Sequence, residues 1–309
     1  MKIIEQTIHK IQTVKKVIVA RRHFDKYPPV FIIGAPRSGT TLLFQLLASW
    51  SGFSTAFEPW QIWKESIGNG DNDTYQGEVT QKGKLKLLLR YFEIIQDGKP
   101  FLLSKNPRDS LRLNYLNDIF PNARFIHIIR DGRDVTASIV KAWKTPNYRT
   151  DIEYDWIHCR IPGYREISTL PSHLKGAMIW VTCISFIEKA LTPSIMKRYY
   201  SLRYEDLIEN SDAELAKLIS FLNINIQEEQ FDELILKINN NVLLKNENPT
   251  RKFTLEGGAI NSNSEDDAGS GTLSESIRIG KWKNDLRKDE VEECMPILES
   301  LLRRYGYIA

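Results

Sequence analysis

Cysteine is scarce in this chain of 309 residues, which contains only Cys159, Cys183 and Cys294. Their number is odd, their positions are scattered and no CxxC pair occurs, so they form neither a disulfide framework nor a zinc site. We therefore expect all three thiols to be reduced, as in a cytoplasmic protein.

Long hydrophobic runs and an excess of one charge are also missing. No apolar run approaches the roughly 20 residues of a membrane-spanning helix, and charges interrupt the first twenty residues, so we expect neither a transmembrane segment nor a signal peptide. The 42 Lys and Arg residues nearly balance the 39 Asp and Glu residues, for a formal net charge of +3. This balance provides no general attraction for a nucleic acid, which we do not expect as a partner, or for an anionic membrane, and it predicts that any anion is bound locally.

The first segment, residues 1–26, is predicted to be an amphipathic helix. Apolar residues recur at helical spacing over residues 2–23 among Lys, Gln and Glu: Ile3, Ile4, Ile8, Ile11, Val14, Val17 and Ile18. We expect this helix to pack on the body of the protein, and the alternative is contact with a membrane surface through its apolar and basic residues. The same pattern also fits a helix that covers a second subunit.

Residues 27–309 read as one α/β domain. Short apolar, β-branched runs at residues 30–34, 54–57, 101–104, 125–129 and 199–203 alternate with helical patterns, including residues 109–120, 131–143 and 171–191 and two helices within 211–238. Buried strands that alternate with helices predict a three-layer, doubly wound and mainly parallel sheet. Residues 256–276 have almost no large apolar side chains, and we expect a mobile loop there.

A glycine-bearing loop follows the first predicted strand and opens a helix. Its sequence is Gly34, Ala35, Pro36, Arg37, Ser38, Gly39, Thr40 and Thr41. Unpaired amide groups, hydroxyls and the positive end of the helix dipole suit a phosphate or sulfonate. The lysine of a Walker loop is replaced by Thr40, and Arg37 supplies the cation from within the loop.

A second candidate anion site follows residues 125–129. Arg130 stands at the carboxyl end of this predicted strand, and Ser138 lies eight residues later, two turns into the next helix. The two side chains can converge on one phosphate. The alternative is that Asp131 and Asp134 only cap that helix and carry charge on its surface.

Together, these segments resemble the nucleotide-binding motifs of the sulfotransferases that use 3′-phosphoadenosine 5′-phosphosulfate (PAPS). The first loop resembles their 5′-phosphosulfate loop, residues 130–138 their 3′-phosphate segment, residues 278–283 their late Gly-x-Trp-Lys segment, and residues 202–207 their tyrosine motif near the adenine. The order of the four motifs is the family's, and the PRSGTT loop is similar to that of the bacterial, carbohydrate and tyrosylprotein branch. The resemblance implies these cofactor-binding residues: Arg37, Ser38, Gly39, Thr40, Thr41, Arg130, Ser138, Tyr204, Arg278, Gly280 and Lys281.

The resemblance also implies a P-loop-like fold and a reaction. A sulfuryl group passes in line from PAPS to a hydroxyl acceptor, leaving adenosine 3′,5′-bisphosphate (PAP), and no metal is needed. Arg37 would stabilise charge on the leaving oxygen. The histidine base of the small-molecule branch is missing from residues 104–108, whereas Glu58 matches the glutamate base of the tyrosylprotein branch, with Lys105 as the second cation.

Other functions were weighed against this one. A P-loop nucleotide kinase begins with the same strand, loop and helix, but it requires a loop lysine and a magnesium-binding acid at a strand end. A nucleotide-binding module without catalysis would not need Arg37, Glu58 and Lys105 together. Of the five histidines, His127 lies inside a predicted strand and is expected in the core, while His158 and His173 are weaker candidates for an acceptor site.

The aromatic residues indicate the kind of acceptor. Aromatic residues in segments 59–66 and 144–165 are expected to ring the crevice beside Glu58: Trp60, Trp63, Tyr148, Tyr154, Trp156 and Tyr164. Aromatic walls suit a sugar, a lipid or a phenol. We therefore expect a hydroxyl on a lipid, a glycan or a small metabolite.

Overall fold

The computed structural model describes residues 2–68, 72–74, 79–144, 159–239 and 279–309. Several of the sequence predictions lie outside these residues. They are the mobile loop 256–276, the cofactor ligand Arg278, the histidine His158 and the aromatic residues Tyr148, Tyr154 and Trp156.

Five parallel strands form the central sheet, in the order β2-β3-β1-β4-β5. They are β1 (Val30–Ile33), β2 (Phe53–Phe57), β3 (Phe101–Lys105), β4 (Arg124–Ile129) and β5 (Tyr199–Arg203). Consecutive strands such as β1 and β2 are not neighbours, so the chain crosses over between them through helices. The predicted doubly wound α/β fold is confirmed, and so are the five predicted strands.

Helices cover both faces of the sheet. Their bounds are α1 (Lys2–Lys26), α2 (Thr40–Ala48), α3 (Trp60–Ile67), α4 (Gln81–Phe92), α5 (Leu113–Ile119), α6 (Gly132–Trp143), α7 (Tyr164–Ile167), α8 (Ser172–Ala190), α9 (Pro193–Met196), α10 (Tyr204–Glu209), α11 (Ser211–Leu222), α12 (Glu228–Asn239), α13 (Trp282–Asp285) and α14 (Lys288–Arg304).

Alternation along β1 explains the three layers. Phe31 and Ile33 point into a core shared with α4 and α5, whereas Val30 and Ile32 point into a core shared with α2 and α11. Successive side chains of a strand face opposite sides, so a strand buried on both sides reads as a continuous apolar run. A third core, between α6, α8 and α14, extends the domain beside β4.

The prediction of one continuous helix over residues 109–120 is wrong. A 3₁₀ turn at Pro107–Leu111 and the separate helix α5 replace it, with Arg112 between them in a non-helical conformation. Arg112 is buried, pairs with Asp109 at 2.8 Å and lies 3.6 Å from the centre of the Trp63 ring. The turn thus places a buried guanidinium where helical periodicity predicts none.

Trp63 is consequently not part of an acceptor crevice, contrary to the prediction. Its side chain is 0% exposed, and its indole nitrogen donates a hydrogen bond to the Tyr91 hydroxyl at 3.2 Å. Trp60, by contrast, is 49% exposed.

Within residues 10–26, whose side chains the structure describes, the packing predicted for the first helix is found near the end of the helix. Ala20 and Phe24 are buried, and the Phe24 ring meets Phe120 at 5.0 Å. Ile11, Val14 and Ile18, which the prediction placed against the body, are exposed. The apolar stripe is therefore not covered by the described part of the chain.

Candidate active site

The carboxyl ends of the parallel strands meet at one edge of the sheet, and the loop after β1 lies there. Gly39 caps α2 with φ of 96°, and a Cβ atom added to it would lie 2.5 Å from the Tyr204 ring. A Cβ atom on Gly34 would lie 2.5 Å from the carbonyl oxygen of Ile128. Both glycines are required because the loop runs against neighbouring groups.

Ser38, Thr40 and Thr41 occupy the turn and the start of α2. Ser38 is buried, and its hydroxyl oxygen finds no hydrogen-bond partner within the described residues. Thr40 is buried and Thr41 is half-buried at the first turn of α2. A buried hydroxyl without a partner is costly unless a ligand satisfies it, so this loop fits an anionic group.

Arg37 links the first loop to the second predicted motif. Its Nε atom donates a hydrogen bond to the hydroxyl of Ser138 at 3.0 Å, and its carbonyl oxygen accepts one from Arg130 at 3.3 Å. These residues are about 100 positions apart in the chain, yet the structure brings them together. The two candidate anion sites therefore form one continuous surface.

Arg130 is held by three groups around its guanidinium. Besides the Arg37 carbonyl, it lies 3.6 Å from the Asp134 carboxylate and 4.4 Å from the centre of the Tyr204 ring. Burial raises the pKa of Tyr204, and the ring is almost fully enclosed. Tyr204 therefore packs against both Arg130 and Gly39. Its contact with the adenine stays a prediction.

Lys105 and Glu58 form an ion pair at the ends of β3 and β2. Lys105 is 2% exposed, and burial lowers its pKa. The negative charge of Glu58 opposes this effect, and the positive charge of Arg37 adds to it. The three predicted catalytic residues thus lie within electrostatic reach of one another.

The backbone at two of these three residues is strained. Among the described residues other than glycine, those with a positive φ are Arg37 at 70°, Glu58 at 44° and Asn223 at 48°. Asn223 ends α11, which is a common place for this conformation. Arg37 and Glu58 end no helix, and such conformations concentrate at active sites because the surrounding structure maintains them.

Asp134 performs a role that the sequence did not reveal. Its carboxylate accepts hydrogen bonds from the backbone nitrogens of Gly280 at 2.8 Å and Trp282 at 2.9 Å. Arg133 lies 4.3 Å above the Trp282 ring. The same carboxylate faces Arg130, so one buried acid ties the segment Gly280–Lys281–Trp282 to the arginine. Because 146 residues separate Asp134 from Gly280, no local pattern could indicate the contact.

The candidate site belongs to a known fold and family. A model of the sulfotransferase family matches residues 28–228, which contain the first loop, Glu58, Lys105, Arg130 and Ser138. The chain belongs to the sulfotransferase family. The recognition based on the four motifs is thereby confirmed, and the sulfotransferase assignment is favoured over the nucleotide kinase.

Two known proteins resemble the chain over different lengths. Protein-tyrosine sulfotransferase 1 of Danio rerio is 27% identical over 296 residues, 91% of this chain and 72% of its own length. The nodulation protein NoeE of Sinorhizobium fredii is 26% identical over 215 residues, 62% of this chain. The match spans 49% of NoeE, about half of that protein.

Solved sulfotransferase structures share the fold. Mouse SULT7A1 complexed with PAP aligns with a TM-score of 0.53 and 12% identity, over 89% of this chain and 84% of its own. Sulfotransferase STF9 from Mycobacterium avium aligns with a TM-score of 0.50 and 14% identity, over 90% of this chain and 76% of its own. At sequence identities this low, the structural similarity shows only that the chain shares the fold of these sulfotransferases.

Asp131 and two of the histidines lie outside the site. Asp131, which follows Arg130 at the end of β4, accepts a hydrogen bond from the Arg133 backbone and pairs with the Arg133 side chain at 2.6 Å. His127 is buried in β4, where its Nδ1 lies 2.6 Å from the Tyr199 hydroxyl and burial lowers its pKa to about 3. His173 pairs with Glu293 of α14 at 2.6 Å. His127 is thus a core residue, as predicted, and Asp131 and His173 each form an ion pair within the fold.

Two further observations concern metals and membranes. Within the described ranges, no group of three or more His, Cys, Asp or Glu side chains is placed to hold a metal ion. No helix of that same part of the chain combines the length and apolar content needed to cross a bilayer.

Proposed function

We propose that this chain transfers the sulfuryl group of PAPS to a hydroxyl acceptor and releases PAP. The observation that carries the proposal is the meeting of two cations and one carboxylate, Arg37, Lys105 and Glu58, beside a phosphate-binding loop. Sulfuryl transfer needs positive charge at the leaving oxygen and a base at the acceptor. This set of groups offers both.

The residues around the loop fit the anionic co-substrate. Ser38 has a buried hydroxyl to donate, and Arg37 presents a planar guanidinium on the same loop. We assign Arg130 and Ser138 to the 3′-phosphate, and this assignment is supported by the turn containing Gly280 and Lys281, which borders Arg130 through Asp134. Charged hydrogen bonds of this kind are about twice as strong as neutral ones.

Each charged residue has one task in the proposed reaction. When bound, PAPS supplies the sulfuryl group, whose bond to the 5′-phosphate oxygen breaks as the bond to the acceptor oxygen forms. Glu58 accepts the proton that the acceptor hydroxyl gives up. Arg37 and Lys105 hold the negative charge that grows on the leaving side, and they act more strongly in the transition state than in the ground state.

The acceptor we propose is a hydroxyl on a lipid, a glycan or a small metabolite. Trp60 supports this choice because it is exposed two positions after Glu58 and offers an aromatic surface beside the base. Incubation with radiolabelled PAPS and a panel of hydroxyl acceptors tests it. Labelling of acidic tyrosine peptides alone would contradict it and favour a protein substrate.

Replacing Arg130 with alanine is expected to weaken PAP binding by about 10- to 100-fold, because one or more charge-assisted hydrogen bonds are lost. Isothermal titration calorimetry with PAP measures the change. The wild-type affinity should be the same with and without Mg²⁺. Tighter binding of Mg²⁺-ATP than of PAP would overturn the proposed function in favour of the kinase.

The matched control for Arg130 is Arg203→Ala. Arg203 ends β5 near the same edge of the sheet, but its guanidinium stacks on Tyr307 at 4.5 Å and not on the phosphate loop. The control should lose stability without a comparable loss of PAP affinity. An equal loss of affinity in both variants would show that Arg130 acts only through folding.

Substitution of Asp134 by asparagine is expected to weaken PAP binding by about tenfold, since the amide cannot accept both backbone hydrogen bonds and no longer balances Arg130. The control is Asp131→Asn at the N-cap of the same helix, which keeps the cap hydrogen bond from the Arg133 backbone and removes only the charge that pairs with the Arg133 side chain. Calorimetry compares the two variants, and Trp282 fluorescence reports whether the turn is released. Equal affinity for PAP in both would contradict the positioning role.

A cytoplasmic location remains a prediction. It is supported by the three cysteines, which are all buried and free in the structure. Cys159 and Cys183 lie 3.8 Å apart without a bond between their sulfur atoms. Burial raises the pKa of Cys159 well above its usual value, so this thiol is a weak nucleophile.

A further inference from the structure

The outer face of α1 exposes large apolar side chains. Ile11, Val14, Ile18 and Val19 are between 44% and 57% exposed. Nine large hydrophobic residues are exposed in the described part of the chain, and four of them lie on this one helix. Scattered exposed apolar residues are ordinary, but a concentration on one face indicates a contact surface.

The opposite face of the helix is already in use. Val17, Ala20 and Phe24 pack into the core formed with α4 and α5. Ile11, Val14 and Ile18 recur at spacings of three and four, which places them on one stripe. Helical geometry turns this stripe well over 90° away from the packed residues, so it faces outward.

Basic residues surround the apolar stripe. From residue 10 to the end of α1, the exposed charged side chains are six cations and one acid: Lys10, Lys15, Lys16, Arg21, Arg22, Lys26 and Asp25. Asp25 accepts a hydrogen bond from Asn122 of the body. No ion pair links any of the six cations to an acid of the described residues, so the face carries net positive charge.

We propose that α1 binds the surface of an anionic lipid bilayer, with its apolar stripe in the interface and its cations among the headgroups. A helix with apolar residues on one side and Lys and Arg beside them binds such a surface through both buried area and charge attraction. Each cation near an anionic leaflet strengthens this attraction.

A second copy of the chain fits this face less well. Two parallel helices paired through Ile11, Val14 and Ile18 would place Lys10 of one helix against Lys15 of the other. Like charges at these flanking positions disfavour the pair. A nucleic acid would satisfy the cations but would leave the apolar stripe in water.

The bilayer would meet the protein on the side away from the active site. The helix α1 leads into Val30 at the amino end of β1, whereas Arg37, Glu58 and Lys105 lie at the carboxyl ends of the strands. Binding through α1 therefore leaves the crevice open to an acceptor in solution. The inference does not depend on the proposed chemistry, because it concerns the opposite edge of the sheet.

Flotation of the full chain with lipid vesicles tests the proposal. We expect the protein to float with vesicles of mixed phosphatidylcholine and phosphatidylglycerol, to stay in solution with phosphatidylcholine alone and to be partly released by salt. Ile18→Asp and Arg22→Glu should each lower the partition coefficient by about tenfold.

Two matched controls separate the surface from general effects. Leu236→Asp changes a residue of α12 that is 57% exposed, and Lys217→Glu reverses an exposed charge on α11. Both helices pack on the other face of the sheet, and both controls should float like the wild type. Thermal melting should show that all four variants fold.

Several outcomes would overturn the proposal. They are equal flotation with neutral vesicles, no flotation at all, or unchanged flotation of Ile18→Asp and Arg22→Glu. A dimer that light scattering detects in wild type and not in Ile18→Asp would assign the face to a second copy. Binding of an RNA homopolymer that requires Arg22 but not Ile18 would assign it to nucleic acid.

Discussion

Replacing Glu58 with glutamine is expected to lower the turnover number by about 10²- to 10⁴-fold, the usual contribution of a positioned general base. Glutamine keeps the shape of the side chain and the unusual backbone at this position, so the loss reports on the carboxylate. Single-turnover measurements with saturating PAPS and a phenol acceptor would determine it. PAP affinity should change little, because Glu58 directly follows β2 and is not part of the phosphate loop.

A series of phenols with decreasing pKa separates the base role from a structural one. A phenol that is already ionised at the assay pH needs no base, so its transfer should be nearly as fast in the glutamine variant as in the wild type. An equal loss for every phenol would show that Glu58 only holds Lys105. In that case the base would have to be sought elsewhere in the crevice.

The residual activity of the same variant should also decline at a lower pH than that of the wild type. Burial lowers the pKa of Lys105, and the Glu58 carboxylate raises it again. Glutamine removes this compensating charge, so the pKa of Lys105 falls and the cation is lost earlier as the pH rises. The pH dependence of the residual rate, followed upward from neutrality, measures the shift.

The sequence was informative wherever one local pattern decided the structure. Continuous apolar runs such as residues 30–33 mark strands buried on both faces, and the glycines at positions 34 and 39 mark the loop between strand and helix. The carboxyl ends of parallel strands necessarily share one edge, so Arg37, Glu58, Lys105 and Arg130 were expected near one another. The structure brings all four to that edge.

Long-range contacts and backbone strain could not be predicted in this way. From the sequence alone, Asp134 is only an acid on the surface of a helix. In the structure its carboxylate accepts hydrogen bonds from the backbone of Gly280 and Trp282, which come from the far end of the chain. The sequence predicts Trp63 as part of the aromatic wall of the crevice. In the structure the buried guanidinium of Arg112 stacks on its ring. In both cases a polar group finds its partner through tertiary packing, and helical or strand periodicity carries no information about that partner.

Substitution of Arg37 by alanine is expected to lower the turnover number by about 10²- to 10³-fold, as for other groups that stabilise charge developing in a transition state. The Michaelis constant for PAPS should rise less than the turnover number falls, because Arg130 and Ser138 still hold the nucleotide. The turnover number of Arg37→Lys should lie between those of the wild type and the alanine variant. Lysine keeps the positive charge but loses the hydrogen bond from Nε to Ser138.

Arg37→Gly distinguishes the charge from the backbone. Arg37 has a φ of 70°, a conformation that glycine adopts without strain, so this variant should unfold at the same or a higher temperature than the wild type. Its turnover should nevertheless fall as far as that of the alanine variant. A glycine variant with normal turnover would mean that the conformation of the loop, and not the guanidinium, is what the reaction requires. A stable but slow glycine variant would mean that the strain at residue 37 is maintained in order to place a cation at the leaving oxygen.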